Sequence, residues 1–312
     1  MESRAIRKES DANTRKLPKV SLKRIKDEYL GRTFALLCGV LIIVLTISII
    51  GFIVFKGTAT FTKHGYSVSE FVLGTTWKPD GSTPKLGALN YILGSTIVSF
   101  GAVLLSAPIA VGVAIFMNLI SPKFGKSIIQ PAMEIFVGIP SVVYGFIGIT
   151  IVVPMIKNIF GGIGFSILAG IIVLSIMILP TIASLSADAI KSVPQRYLEA
   201  SYGLGATRWQ TIKNVVIPSS KNGIYTGIIL GLSRAFGEAL AVTMVIGNTV
   251  KSPFNILEPG ATLTGALTMD ISNTFFGTLW NDALWSLGLI LLIMSFVFIL
   301  AIKAIGKRGA KI

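Results

Sequence analysis

Six apolar stretches, each long enough to cross a bilayer, leave this chain few folds to choose from. A spanning helix needs about 20 predominantly apolar residues. The candidates are residues 34–55, 91–120, 128–156, 163–187, 223–247 and 284–305. The third is interrupted by Gly138-Ile139-Pro140, and the fourth contains Pro180. In hydrocarbon every backbone donor and acceptor must be satisfied inside the segment or in a closed barrel. The expected fold class is therefore all-α: a polytopic membrane protein of six transmembrane helices. The segments between spans reach only about 35 residues, too short to build a soluble core of their own. Charged residues make up 13% of the chain, about half the share usual in soluble domains.

A net charge of +14 would suggest nucleic acid in a soluble protein. Its distribution excludes that reading here. Of the 28 Lys and Arg, 21 fall in residues 1–33, 121–127, 188–222 and 303–312, and 6 fall in the alternating segments. Basic residues mark the cytoplasmic side, so both termini are expected there. Residues 1–33 read as a basic cytoplasmic tail, and 34–312 as the membrane domain. With that tail ahead of it, the first apolar run suits an uncleaved anchor better than a cleavable leader. One Cys (Cys38) and one His (His64) allow no disulfide within the chain and no His/Cys metal constellation. Cys38, in an apolar run, reads as a small packing residue.

Between the fourth and fifth spans lies a polar, helix-forming segment, LEASYGLGATRWQTIKNVVIP, residues 198–218. It turns at Gly203 and Gly205 and ends at Pro218. An amphipathic helix in the headgroup layer would account for its mixture of Arg208, Trp209 and Lys213. The order Glu-Ala-Ser, three residues, Gly, nine residues, Val-Val-Ile-Pro is more specific than amphipathicity requires, and it suggests a docking loop. Of the other long connections, 56–89 reads as turns and short irregular structure, with Trp77 either an interface anchor or a contact for an external partner. The segment 248–283 reads as a partly inserted or surface helix near Trp280 and Trp285. Gly125-Lys126-Ser127 resembles the end of a phosphate-binding loop, but Ile120 stands where that motif needs its first glycine and no strand precedes it.

Arg234 is the residue hardest to place. If the fifth span begins near Gly223, it lies about 16 Å into the bilayer at 1.5 Å per residue. An arginine at that depth costs about 2.5–3.5 kcal/mol on insertion scales. Glu238, four residues on, is expected on the same helical face. The two either neutralise each other along the helix or mark a substrate route, which is where intramembrane charges usually occur. A guanidinium suits bidentate binding of an oxyanion. A nearby carboxylate would repel a fully deprotonated anion yet accept a hydrogen bond from a protonated one, which distinguishes phosphate from sulfate and molybdate. Gly223, Gly227, Gly231, Ala235 and Ala239, each four apart, form a stripe on which another helix can pack closely. That helix belongs either to a second subunit or to this chain. Glu134, at the start of the third span, reads as structural.

The 198–218 segment resembles the cytoplasmic loop of the permease subunits of ATP-binding-cassette importers: E-A-A, three residues, G, nine residues, I, one residue, L-P. Glu199, Ala200, Gly205 and Pro218 match, while Ser201, Val215 and Ile217 are mild departures. Gly138–Phe146 (GIPSVVYGF) and Arg234–Asn248 (RAFGEALAVTMVIGN) resemble phosphate-importer permeases of the Pst type, the C-type subunit more than the A-type. One departure is Ala239, where that family often has Thr. The resemblance implies a type I importer permease fold with its core over about 90–305 and with 198–218 as the coupling loop. Glu199, Ala200 and Gly205 would serve ATPase coupling, and Arg234 and Glu238 the substrate pathway. It further implies a heterodimer with an A-type permease, two cytoplasmic ATP-binding subunits that hold ATP and Mg, and a phosphate-binding protein outside a bacterial inner membrane. No cofactor and no catalytic residue is expected in this chain. The competing classes are an importer of another oxyanion, an ion-coupled secondary transporter, for which no inverted repeat is visible, and a membrane enzyme, against which the lack of clustered His, Cys and carboxylates argues.

Overall fold

The computed structural model describes residues 22–80 and 83–308. Most of the expected basic tail, up to residue 21, lies outside the described residues. The elements in chain order are α1 (Leu22–Thr62), α2 (Val68–Leu73), β1 (Trp77–Lys78), β2 (Lys85–Leu86) and α3 (Leu89–Ile120). They continue with α4 (Gln130–Gly138), α5 (Ser141–Phe160), α6 (Ile167–Lys191), α7 (Gln195–Gly203), α8 (Arg208–Gly237), α9 (Leu240–Ile246), α10 (Leu263–Asp270) and α11 (Leu279–Arg308). Among the described residues five helices are long and apolar enough to cross a membrane, and the bent pair α8–α9, taken as one span, makes a sixth. The chain divides into two compact units at Phe52–Ile53, within α1. From Leu30 to Phe52 the first is an apolar helix, exposed at nearly every residue.

The second unit is built around α6, the most buried span. Three apolar clusters make up its core, and α6 contributes residues to the second and third. At one end Phe71, Leu86, Tyr91, Leu263, Leu284 and Leu287 pack together. In the middle Val98, Val173, Leu174, Ile178, Val242 and Val245 meet. At the other end Ala114, Ile190, Leu198, Ile212 and Val216 close the unit. The small-residue stripe of α8 packs on α6. A Cβ on Gly231 would lie 2.6 Å from Cγ1 of Ile182, and one on Gly223 would collide with Ala189. The three glycines of the stripe thus pack against α6 within the chain, while Ala239 lies beyond the end of α8.

Two span boundaries differ from the sequence reading. The third stretch, 128–156, is two helices, because Ile139 and Pro140 are extended (ψ 127° and 141°). A residue before proline is pushed out of the helical region. The Tyr144 hydroxyl bridges the gap by donating to the Phe136 carbonyl at 2.7 Å. Only the second piece, α5, has the length to cross. The expected end at Pro218 is also absent. The helix runs through it on a π turn, Ile212–Val216, whose last bond joins the Ile217 N–H to the Ile212 carbonyl. The shifted ladder accommodates the residue that has no N–H to give. At 1.5 Å per residue α8 is about 45 Å long.

The 56–89 connection is more ordered than expected. It holds α2 and an antiparallel pair in which Trp77 faces Leu86 and Lys78 faces Lys85. Trp77 stands edge-on to Phe71 and to Tyr91, at 6.2 and 5.5 Å between centroids. Trp77 is thus part of an aromatic cluster and is half-buried. The 248–262 stretch supplies carbonyls to the first turn of α6: Ile167 N–H to Glu258 and Leu168 N–H to Ile256. These are donors a helix start cannot satisfy internally. From there the chain enters the packed interior as α10, whose residues Leu263 to Ala266 are buried.

Candidate functional site

Helix α8 links two groups of residues. At its start, α7 ends in a turn that Gly205 completes with φ +83°. A Cβ there would meet nothing within 4 Å, so the glycine is required by its left-handed backbone and not by space. Thr207 then caps α8 in a reciprocal box. Its hydroxyl accepts from Gln210 N–H at 3.3 Å, and the Gln210 carboxamide accepts from Thr207 N–H at 2.8 Å. The pattern Thr-x-x-Gln was a legible signal that the sequence reading passed over. Ser201, the departure from the expected alanine, forms a 2.9 Å hydrogen bond with buried Thr211 and ties α7 to α8.

The outer surface of this turn is apolar and open. Leu204 is 90% exposed and Trp209 64% exposed, with Tyr197 and Tyr202 also exposed. Glu199 and Ala200 lie on the exposed side of α7. A groove of about 490 Å³ runs beside the turn, lined by Asn118, Leu119, Gln195, Leu198, Tyr202 and Arg208. A buried inner face, a rigid cap and an exposed aromatic rim suit a surface that receives force from a partner.

At the other end of α8, Arg234 is half-buried, and its Nη1 donates to the Thr181 hydroxyl of α6 at 3.2 Å. Thr181 was not foreseen; nothing in its local sequence distinguishes it from other span hydroxyls. Glu238 is not on the same helical face as Arg234, contrary to expectation. The helix stops at Gly237, Glu238 is extended (φ −75°, ψ 124°), and the chain turns through 65° into α9. The two side chains therefore do not neutralise each other. Among the described residues the ion pairs within 4.0 Å are those of Lys63 and His64 with Asp282. Instead Glu238 Oε1 accepts from the Ala241 N–H at 2.9 Å, and its main-chain carbonyl accepts from the Thr264 hydroxyl at 2.9 Å. Beside it lies a cavity of about 10 Å³, the room of a single water, whose polar walls are Ser95, Ser99, Glu238, Thr262 and Thr264.

The remaining sequence candidate, Glu134, falls outside this arrangement. Glu134 accepts from Gln130 at 3.2 Å on an exposed face of α4, as a structural residue would. Asp270, at the end of α10, is partly buried, and loss of water raises its carboxyl pKa above the ordinary value.

Residues 110–310 match the family model described as "binding-protein-dependent transport system inner membrane component". The chain is 47% identical over 283 residues to the probable ABC transporter permease protein YqgH of Bacillus subtilis, covering 90% of this chain and 92% of that protein. It is 35% identical to the phosphate transport system permease protein PstC of Mesorhizobium japonicum, over 74% of this chain and 76% of the relative. Against PstC of Haemophilus influenzae it is 32% identical, over 84% and 86%. Among solved structures, a chain of a bacterial alginate ABC transporter superposes with a TM-score of 0.64 at 16% identity, covering 94% of this chain and 99% of that one. A chain of the inward-facing MetNI methionine ABC transporter gives 0.53 at 19% identity, over 72% and 94%. At such identities the structural likeness speaks for the fold alone.

Proposed function

We propose, from the premise that this chain belongs to the binding-protein-dependent transport system inner membrane component family, that it is the permease subunit of an ATP-driven importer of inorganic phosphate. Its fold is that of a type I ABC importer permease, all-α and multi-pass. The observation that carries the proposal is that one unbroken helix, α8, joins the exposed turn at Gly205 to the intramembrane guanidinium of Arg234. Force at the first can reach the second along one helix, through the π turn at Ile212–Val216. Phosphate as cargo is supported by the names of the PstC relatives and by the chemistry of the site.

In this reading the subunit is non-catalytic. ATP and Mg are held by two partner ATPases in the cytoplasm, which dock on the surface around Glu199, Ala200 and Gly205. The second half of the pathway comes from a homologous A-type permease, and a binding protein delivers phosphate from outside. Both termini face the cytoplasm, consistent with the basic residues at the two ends. ATP binding draws the coupling turns together, α8 moves as a rod, and Arg234 meets one side of the membrane and then the other. Such a cycle requires phosphate and nucleotide to bind the two states with different affinities.

Thr181 steadies Arg234 through one N–H, which leaves a fork of donors for an oxyanion. The Ala241 N–H orients the Glu238 carboxylate, which can accept a proton-bearing phosphate oxygen and repels sulfate or molybdate. The test is uptake by proteoliposomes holding the whole complex, with sulfate and molybdate as competitors, with and without internal ATP, and with ion gradients collapsed. ATP-dependent phosphate uptake that survives gradient collapse and resists both competitors supports the reading. Uptake that follows an ion gradient, or that sulfate or molybdate inhibits as well as phosphate does, overturns it.

A further inference from the structure

We propose that Thr264 is a positioning residue for Glu238, so that the inserted helix α10 takes part in choosing the cargo. The inference rests on the reading of Glu238 as a pathway group. Where a helix breaks, the carbonyl at the break loses its partner four residues on. At Glu238 the Thr264 hydroxyl takes that place, 2.9 Å from the oxygen, and Thr264 is 8% exposed. The side chain of the same residue is fixed separately, on the Ala241 N–H. Glu238 is thus held from both its main chain and its carboxylate, by two different elements.

Thr264 is in turn located by α3. The Ser95 hydroxyl accepts from the Leu263 N–H at 2.8 Å. Gly94 has no side chain where the Ala261 carbonyl presses against it, and any Cβ there would collide with that oxygen. Thr262 caps the helix by accepting from the Gly265 N–H at 3.1 Å and lies 3.3 Å from the Thr264 hydroxyl. The register of α10 against α3 therefore sets where the Thr264 hydroxyl stands, and that hydroxyl sets the peptide plane from which the Glu238 carboxylate projects. Replacing Thr264 with valine keeps its shape and removes the donor. The part-buried carbonyl is left without that partner, which favours another orientation of the Glu238 peptide.

The experiment uses proteoliposomes of the complete complex with its ATPases and compares wild type, Thr264→Val and Thr264→Ser. The expected result for Thr264→Val is a phosphate KM raised about tenfold and a lower preference for phosphate over sulfate, with ATPase association retained. Thr264→Ser, which restores the donor, returns both toward wild type. Ser95→Ala, which loosens α10 while keeping both printed hydrogen bonds of Glu238, moves both in the same direction by less, and it serves as the readout should the valine variant fail to assemble. An assembled Thr264→Val complex with wild-type KM and selectivity overturns the proposal, as does a defect that serine does not repair. If wild type carries a different oxyanion, the phosphate reading fails instead, and the same variants are scored with that oxyanion.

Discussion

Gly205 offers the cleanest single perturbation in the turn proposed to dock the ATPase, because its cost is conformational alone. Its φ is +83°, and a Cβ would meet nothing within 4 Å. Gly205→Ala therefore adds no collision, and the whole penalty is that of an L-residue in the left-handed region, about 1–2 kcal/mol. That corresponds to a five- to thirtyfold shift between the formed and the opened turn. The apolar clusters of the spans are untouched, so the permease should still fold, with the loss confined to the turn. The assay is the dissociation constant of the purified permease complex for its ATPase subunit, measured by interferometry in detergent. Alanine is expected to weaken it about five- to thirtyfold. Asparagine, which tolerates this conformation better, is expected to weaken it less. Alanine binding as tightly as glycine would refute the reasoning. So would asparagine binding worse than alanine, since bulk against a partner would then govern and not backbone geometry.

Two further outcomes are expected. Gly231→Leu places a side chain where Ile182 Cγ1 stands 2.6 Å from the Cβ position, and it should lower stability by about 1–3 kcal/mol, read as a lower Tm in scanning fluorimetry; an unchanged Tm would mean that α8 does not pack on α6 through this stripe. Asp270→Asn should raise Tm at neutral pH, because burial raises the carboxyl pKa in the folded state. A raised folded pKa means the charged form opposes folding above that pKa, so the advantage of asparagine should fade as pH falls to the ordinary carboxylate value of 3.8; an advantage that grows toward low pH would contradict the assignment.

Much of the fold was legible because bilayer crossing is written in long apolar runs, and α3, α6 and α11 follow theirs closely. The breaks were less legible. Gly138-Ile139-Pro140 announced one, through the conformational bias ahead of proline. Gly237-Glu238 did not, since a helical run of Leu, Ala and Gly gives no sign that the chain will bend there. The carbonyl that the bend leaves without a helical partner is taken up by Thr264, 26 positions away. For the same reason the Arg234–Glu238 pairing, sound for a continuous helix, failed in the structure. Pro218 misled in the opposite direction, because a π turn carries the helix through it. At the coupling turn, local chemistry was sufficient: Gly205 and the Thr207–Gln210 box both lie in the sequence itself. The fate of the small-residue stripe was not, because glycine spacing permits close packing without naming the partner.

The central claim is that Arg234 serves the passage of phosphate. Reconstituted wild-type complex and an Arg234→Gln complex, each with its ATPases, should be compared for ATP-driven uptake of labelled phosphate. Glutamine retains hydrogen-bonding capacity toward Thr181 but carries no charge. The account expects ATP-dependent phosphate uptake by wild type and its loss in Arg234→Gln, with ATPase association intact. Wild-type rates of phosphate uptake in an assembled Arg234→Gln complex would contradict it.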